Sequence, residues 1–189
     1  MKKMSLFFKK LVFMEDIYYK KTMDKKASHL SAALGCFLLF FFCCSPVFGW
    51  QAKVVGVTDG DTLKVLSQDG VQVKIRLYGV DTPESKQAYG KKATAFTAGM
   101  VAGKVVSVET IDVDRYGRQV AIVTSDGYNV VNEALIENGF AWVYRQYCKR
   151  EECRSWLRSE SEARSARLGL WADQAPVAPW EWRKDARKR

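Results

Sequence analysis

From Val71 to Leu77 the chain alternates strictly: Val71, Val73, Ile75 and Leu77 are apolar, and Gln72, Lys74 and Arg76 between them are polar. A period of two puts one face of an extended chain into a core and the other into water, and a helix cannot use it. Two shorter β-branched segments come before it, residues 53–57 and 63–66. Thr58-Asp59-Gly60-Asp61 separates them with turn chemistry, and Asp69-Gly70 makes the next turn, so three consecutive strands form a meander.

Past a loop at 79–84, the pattern predicts a helix over 86–100 and two more strands over 105–110 and 120–124, joined by DVDRYGRQ. Asn129 suits the cap of a helix over 130–138 that Gly139 ends. A longer helix is expected from Glu151 or Glu152 to Leu168, with Trp156, Leu157, Ala163 and Leu168 on its apolar face and Gly169 at its end. The order β-β-β-α-β-β-α-α predicts an α+β fold, a five-stranded OB-type barrel with three helices packed outside. The domain is assigned to residues 50–175, and residues 176–189 read as a peripheral tail with a basic tip.

The formal charge of +9 suggests a polyanionic partner, but its distribution argues otherwise. Residues 1–49 carry eight Lys/Arg and three Asp/Glu, and RKDARKR at 183–189 carries five basic residues against Asp185. Between Trp50 and Trp182 that leaves 17 basic and 17 acidic residues, a net of zero. Any case for nucleic acid therefore rests on local sites.

The N-terminal 1–49 read as a leader. Residues 34–42, LGCFLLFFF, form an apolar run well short of the roughly 20 residues that span a bilayer. Val47-Phe48-Gly49 then offers a cleavage site, and Met23 gives ordinary signal-peptide proportions as an alternative start. The expected destination is periplasmic or extracellular, with an uncleaved membrane anchor as the other reading. Cys36, Cys43 and Cys44 leave with such a leader. The remaining Cys148 and Cys153 pair in an oxidising compartment, two free thiols being the alternative. The single histidine, His29, also lies in the leader. A mature chain without histidine has no Ser-His-Asp triad and no His-metal cluster, so catalysis falls to carboxylates, Arg, Lys, Tyr or an oxygen-held metal.

Three stretches carry that chemistry: Asp59-Gly60-Asp61-Thr62, Arg76 to Glu84 (RLYGVDTPE), and Asp114-Arg115-Tyr116-Gly117-Arg118. Each alone is explicable as a hairpin turn, a helix-entry loop or a solvated tip. With VNEAL, GFAWVY and GLW downstream, their order and spacing over roughly residues 53–171 resemble the thermonuclease (staphylococcal nuclease-like) family.

The resemblance implies a nuclease acting on DNA and RNA and leaving 3′-phosphates. It implies Asp61 and Asp81 as calcium ligands with the Thr82 carbonyl, Glu84 as general base, and Arg76 and Arg118 as the guanidiniums on the scissile phosphate. Tyr116, and with it Tyr147, match positions that contact the nucleotide. The chemistry is coherent. Carboxylates, a carbonyl and water make an all-oxygen set for a hard cation, and only the resemblance selects Ca2+. The metal and arginines neutralise charge that grows as water attacks, and Arg can hold two oxygens at once. A glutamate is a weak base at neutral pH and needs placement beside the metal.

The chain departs from the family's best-known member in a short connection, Ser85-Lys86-Gln87-Ala88, in Glu137 where that member has Arg, and in its cysteine pair. A monomer without an obligate protein partner is expected. The rival function is a non-catalytic OB-type module binding nucleic acid or the envelope.

Overall fold

The computed structural model of the chain describes residues 49–126 and 129–188. The leader readings at 1–48, including the apolar run, Cys36, Cys43, Cys44 and His29, lie outside the described residues. Among those described, no helix is long and apolar enough to cross a membrane.

Alternation closes the barrel. On β1 (Trp50–Asp59), Ala52 and Val54 point inward; on β2 (Thr62–Ser67), Leu63 and Val65; on β3 (Gln72–Leu77), Ile75 and Leu77. After the two-residue β4 (Val80–Asp81) and helix α1 (Gly90–Val101), β5 (Val105–Val113) adds Val106 and Val108, and β6 (Gln119–Ser125) adds Ala121 and Val123. The meander β1–β2–β3 is antiparallel, β5 pairs with β1 (Ala52 opposite Val106), and β6 pairs with β5. Closure comes from one parallel contact, β3 against β6, with Arg76 opposite Val120. Among the described residues the five strands close on themselves, so the barrel itself leaves no open edge. The α+β barrel read from the sequence is therefore the fold.

The second half differs from expectation in detail. Helix α1 begins at Gly90, not near 86, because residues 84–90 make two tight turns: Gln87 N–H donates to Glu84 O at 2.8 Å and Gly90 N–H to Gln87 O at 3.0 Å. Strand β7 (Asn129–Val130) pairs with β6, so α2 (Val131–Glu137) is capped by Val130 rather than Asn129. Its buried Asn132 accepts from Val123 N–H at 3.1 Å and donates to Tyr78 O at 2.9 Å, tying α2 to the barrel's closing seam. After β8 (Trp142–Val143), α3 (Glu152–Ser165) buries Cys153, Trp156, Glu160 and Ala163. Leu157 and Leu168 are exposed, and the charged Glu160 takes the inner face because it accepts from Val143 N–H at 3.2 Å and pairs with Arg164. A disulfide joins Cys148 to Cys153, Cα atoms 5.7 Å apart, and fastens the preceding loop to the start of α3.

Helix α3 stops at Ser165, before Gly169, because Gly169 has another task. It opens a 3-10 turn (Gly169–Ala172) laid directly on Gly139, and Leu170 N–H donates to Gly139 O at 2.8 Å. A Cβ on either glycine would overlap backbone of the other segment, and both have positive φ. The last difference is a fourth helix. Pro179–Ala186, read as peripheral tail, forms α4, with Pro179 at its first turn where a missing N–H costs nothing. Ala178 and Pro179 are buried against the domain.

Candidate active site

The DGDT turn builds the floor of the site. Asp61 N–H donates to Asp59 Oδ1 at 3.2 Å, curling the turn, and Thr97 of α1 donates its hydroxyl to Gly60 O at 2.6 Å, pinning it from outside. The side chain of Asp61 is thereby carried inside, 5% exposed. Its Oδ2 accepts from Thr82 N–H at 2.8 Å and Thr82 Oγ1 at 3.0 Å.

Strand β4 brings in the second carboxylate. It pairs with β8, Asp81 opposite Trp142, and this short ladder leaves Asp81 fully buried. Between the two carboxylates stands Arg76 of β3, opposite Thr62 in the β2–β3 ladder. Its Nη2 donates to Asp81 Oδ1 at 2.8 Å, and its Nη1 lies 2.5 Å from Asp61 Oδ2. That second contact is an ion pair off the line of a hydrogen bond, so Nη1 is a buried donor with no hydrogen-bond partner among the described residues. A guanidinium between two buried carboxylates is the minimum compensation this floor needs.

Glu84 follows from the same loop. Its N–H donates to Gln87 Oε1 at 3.1 Å, and Gly90 sits so close to its carbonyl that a Cβ there would collide. The backbone of Glu84 is thus fixed while its carboxylate, over a third exposed, faces outward.

Burial, and then the neighbouring Asp61 charge, push Asp59 up to about 7. Burial also works against ionisation of Asp61, but Arg76 and the Thr82 donors outweigh it and hold that carboxyl below its ordinary value. An excess of acid over base in a desolvated pocket is an environment that attracts a cation. The donor chemistry fits a hard ion: carboxylates of Asp61 and Asp81 and a loop carbonyl, with no sulfur or imidazole. Among the described residues no three acidic, His or Cys side chains cluster as a metal site.

Arg118 and Tyr116 stand on the β5–β6 hairpin. Asp114 organises it: its Oδ1 accepts from Tyr116 N–H at 2.9 Å and Arg118 N–H at 3.0 Å, and its Oδ2 from Arg118 Nε at 2.7 Å. The parallel β3–β6 contact places this hairpin end beside the strand that carries Arg76. Arg118 contacts Asp114 and the Tyr116 ring rather than Asp61, Asp81 or Glu84. Tyr116 is 68% exposed and carries Arg115 and Arg118 against its ring, and Tyr147, 57% exposed, leans edge-on against Tyr144 at 4.7 Å. The structure therefore joins Asp61, Arg76, Asp81, Thr82 and Glu84 into one cluster, with Arg118 and Tyr116 on a neighbouring rim.

Two residues of the site were missed in the sequence. Asp114 opens the DRYGR motif, where its sequence position alone suggests no more than a turn residue. Arg183, counted only as tail charge, forks onto Asp81 from α4, Nη2 to Oδ2 at 2.7 Å and Nη1 to Oδ1 at 3.1 Å, and Nη1 also reaches Glu84 Oε1 at 2.8 Å. The available signal was Ala178-Pro179-Trp180-Glu181, a helix start that places Arg183 one turn on.

The chain is similar to several proteins. It is 36% identical over 174 residues to Protein ParB of Escherichia coli, covering 87% of this chain and 97% of that protein. An uncharacterized endonuclease of Escherichia coli O157:H7 is 41% identical over 151 residues, 77% of this chain and 94% of the relative. Staphylococcal-like nuclease CAN1 of Arabidopsis thaliana is 46% identical over 114 residues, 60% of this chain and 34% of the plant protein. The family model described as staphylococcal nuclease homologue matches residues 74–173, from β3 through the 3-10 turn. With its barrel, its ordered motifs and these relatives in agreement, the chain belongs to the staphylococcal nuclease family of nucleases.

Proposed function

We propose that the protein is an exported, calcium-dependent nuclease that hydrolyses DNA and RNA to 3′-phosphate products. Arg76, Glu84 and Arg118 carry the chemistry. Asp61, Asp81 and the Thr82 carbonyl would hold the cation, which would supply charge neutralisation at the phosphate and acidify water. Glu84 takes the proton of the attacking water. Attack at phosphorus forms the new P–O bond as the 5′-oxygen departs, taking its proton from solvent. Arg118 and Arg76 stabilise the phosphoryl oxygens as charge builds on them. Asp114 holds the Arg118 guanidinium by one edge and leaves the other for an oxygen. Tyr116 and Tyr147 flank the substrate as aromatic surfaces.

The observation that carries the proposal is the convergence of Asp61 and Asp81 on Arg76, with Glu84 linked to Asp81 through Arg183 and the DRYGR hairpin brought alongside by β3–β6 pairing. A binding module would not need this dense burial of charge, which costs stability. The Cys148–Cys153 disulfide supports an oxidising compartment.

The test is digestion of plasmid DNA and of RNA by the purified protein in calcium, magnesium or chelator, compared with Glu84→Gln. Calcium-dependent cleavage that drops by orders of magnitude in the variant, with an unchanged melting curve, is expected. Cleavage by Glu84→Gln at near the parental rate removes Glu84 from the mechanism, and no cleavage by the parent leaves the binding module.

A further inference from the structure

Helix α4 is seated on the candidate site by contacts that have nothing to do with its charge. Trp180 stacks on Tyr144, ring centroids 5.3 Å apart and planes 11° apart, and meets Trp142 edge-on at 5.6 Å. Gln87 Nε2, in the loop that follows Glu84, donates to Val177 O at 2.6 Å. Stacking of this kind in a partly desolvated setting fixes orientation as well as adding affinity. The helix is held in register, and Arg183 is delivered to Asp81 and Glu84.

Both oxygens of Asp81 are then engaged, Oδ2 by Arg183 alone and Oδ1 by Arg76 and Arg183 together. One nitrogen of Arg183 bridges Asp81 and Glu84. A positive charge shared by those two carboxylates stands where a cation would join them. Arg183 also differs from Arg76 in being releasable: its side chain is 36% exposed against 14% for Arg76, and its contacts with Asp81 and Glu84 are ion pairs a solvated side chain can leave.

We propose that Arg183 is a built-in competitor for the cation seat, so that a divalent metal binds Asp81 only by displacing this guanidinium while Trp180 keeps α4 docked. This rests on Asp81 and Glu84 forming the metal-bearing site proposed above. With Arg76 on Oδ1 and Arg183 on both oxygens, a further cation at Asp81 meets two positive neighbours at close range, and withdrawal of the more exposed Arg183 relieves that repulsion. Metal affinity in the intact chain is therefore set by a competition inside the molecule, and Glu84 is freed as a base by the same event that admits the metal. The C-terminal helix acts as a threshold on calcium concentration.

The experiment is calorimetric titration of the full chain with calcium, and with terbium as a luminescent reporter, for the parent, Arg183→Gln and Asp61→Asn. Arg183→Gln should bind calcium at least tenfold more tightly than the parent, and Asp61→Asn should bind it weakly or not at all. Unchanged or weaker affinity in Arg183→Gln, with binding still lost in Asp61→Asn, overturns the competition and leaves the metal site standing. Binding unaffected by Asp61→Asn, or absent in the parent and in Arg183→Gln alike, overturns the site itself. Should Arg183→Gln fail to fold, Trp180→Ala decides, because it loosens the helix and leaves every carboxylate in place: severalfold tighter calcium binding supports the competition, and unchanged binding overturns it.

Discussion

Replacing Arg76 with Met should cost the protein stability as well as activity, and the two losses separate its roles. The Arg76 side chain is 14% exposed and lies between two carboxylates that are nearly or fully buried, at 2.5 and 2.8 Å. Methionine fills much of the stem volume, so cavity formation is a minor contribution. The main cost is leaving Asp61 and Asp81 charged in a desolvated floor. Removing one partner of a buried ion pair costs about 3–5 kcal/mol. Asp61 keeps its two donors from Thr82, and Asp81 keeps Arg183, which puts the expected loss at the lower end, about 3 kcal/mol. For a domain of this size that lowers Tm by about 10 °C. Millimolar calcium should recover part of the difference, since a cation replaces the missing positive charge and binds the native state selectively. The assay is thermal and urea denaturation with and without calcium, beside plasmid digestion. A variant melting within about 2 °C of the parent would show that the two aspartates do not need Arg76, and the electrostatic account of the site would fall.

Three further outcomes follow from the same geometry. Asp114→Asn should lower kcat/KM by about tenfold, roughly 1.4 kcal/mol, by loosening Arg118. Burial opposes ionisation of Asp114, but hydrogen bonds from Arg118 and Tyr116 outweigh it and lower its pKa. The pairing is thus present above the unfolded-state value and lost as pH falls through the folded one, so parent and variant should converge in acid pH–rate profiles. Gly139→Ala should destabilise by about 2–4 kcal/mol in urea titration, through positive φ and overlap with the Leu168 carbonyl, and adding Gly169→Ala should cost less than the sum. Changing Cys148 and Cys153 together to Ser should cost about 2 kcal/mol, as expected for so short a loop, and a reductant should bring the parent down to the variant.

Local patterns explain what was legible without coordinates. Alternation from Val71 to Leu77 specifies a strand because the side-chain period is a property of the extended backbone. DGD and DG are turns because Gly and Asp tolerate the required dihedrals. The chemistry-bearing residues could be picked out by type, since phosphodiester cleavage without histidine leaves few alternatives to carboxylate, arginine and metal. Even the helix ends that were misplaced reveal a rule: Asn129 is a good cap by propensity, but β7 pairing with β6 needed residues 129 and 130 extended, and tertiary pairing outweighs a local preference.

Distance in sequence defines what was not legible. Arg183 lies 102 residues from Asp81, and nothing in the composition of RKDARKR distinguishes a solvated tip from a guanidinium aimed into a site. The seat was made by Trp180 on Tyr144 and by the bond from Gln87 to Val177, contacts that exist only after the barrel and its helices have packed. Gly139 and Gly169 likewise look like two helix stops and are in fact one backbone-to-backbone contact. The sequence by itself determined the strands, the turns and the residue types of the chemistry, because those depend on neighbours a few positions away. Which charges face one another was decided only by the tertiary structure, because a charge pair is a property of distance in space.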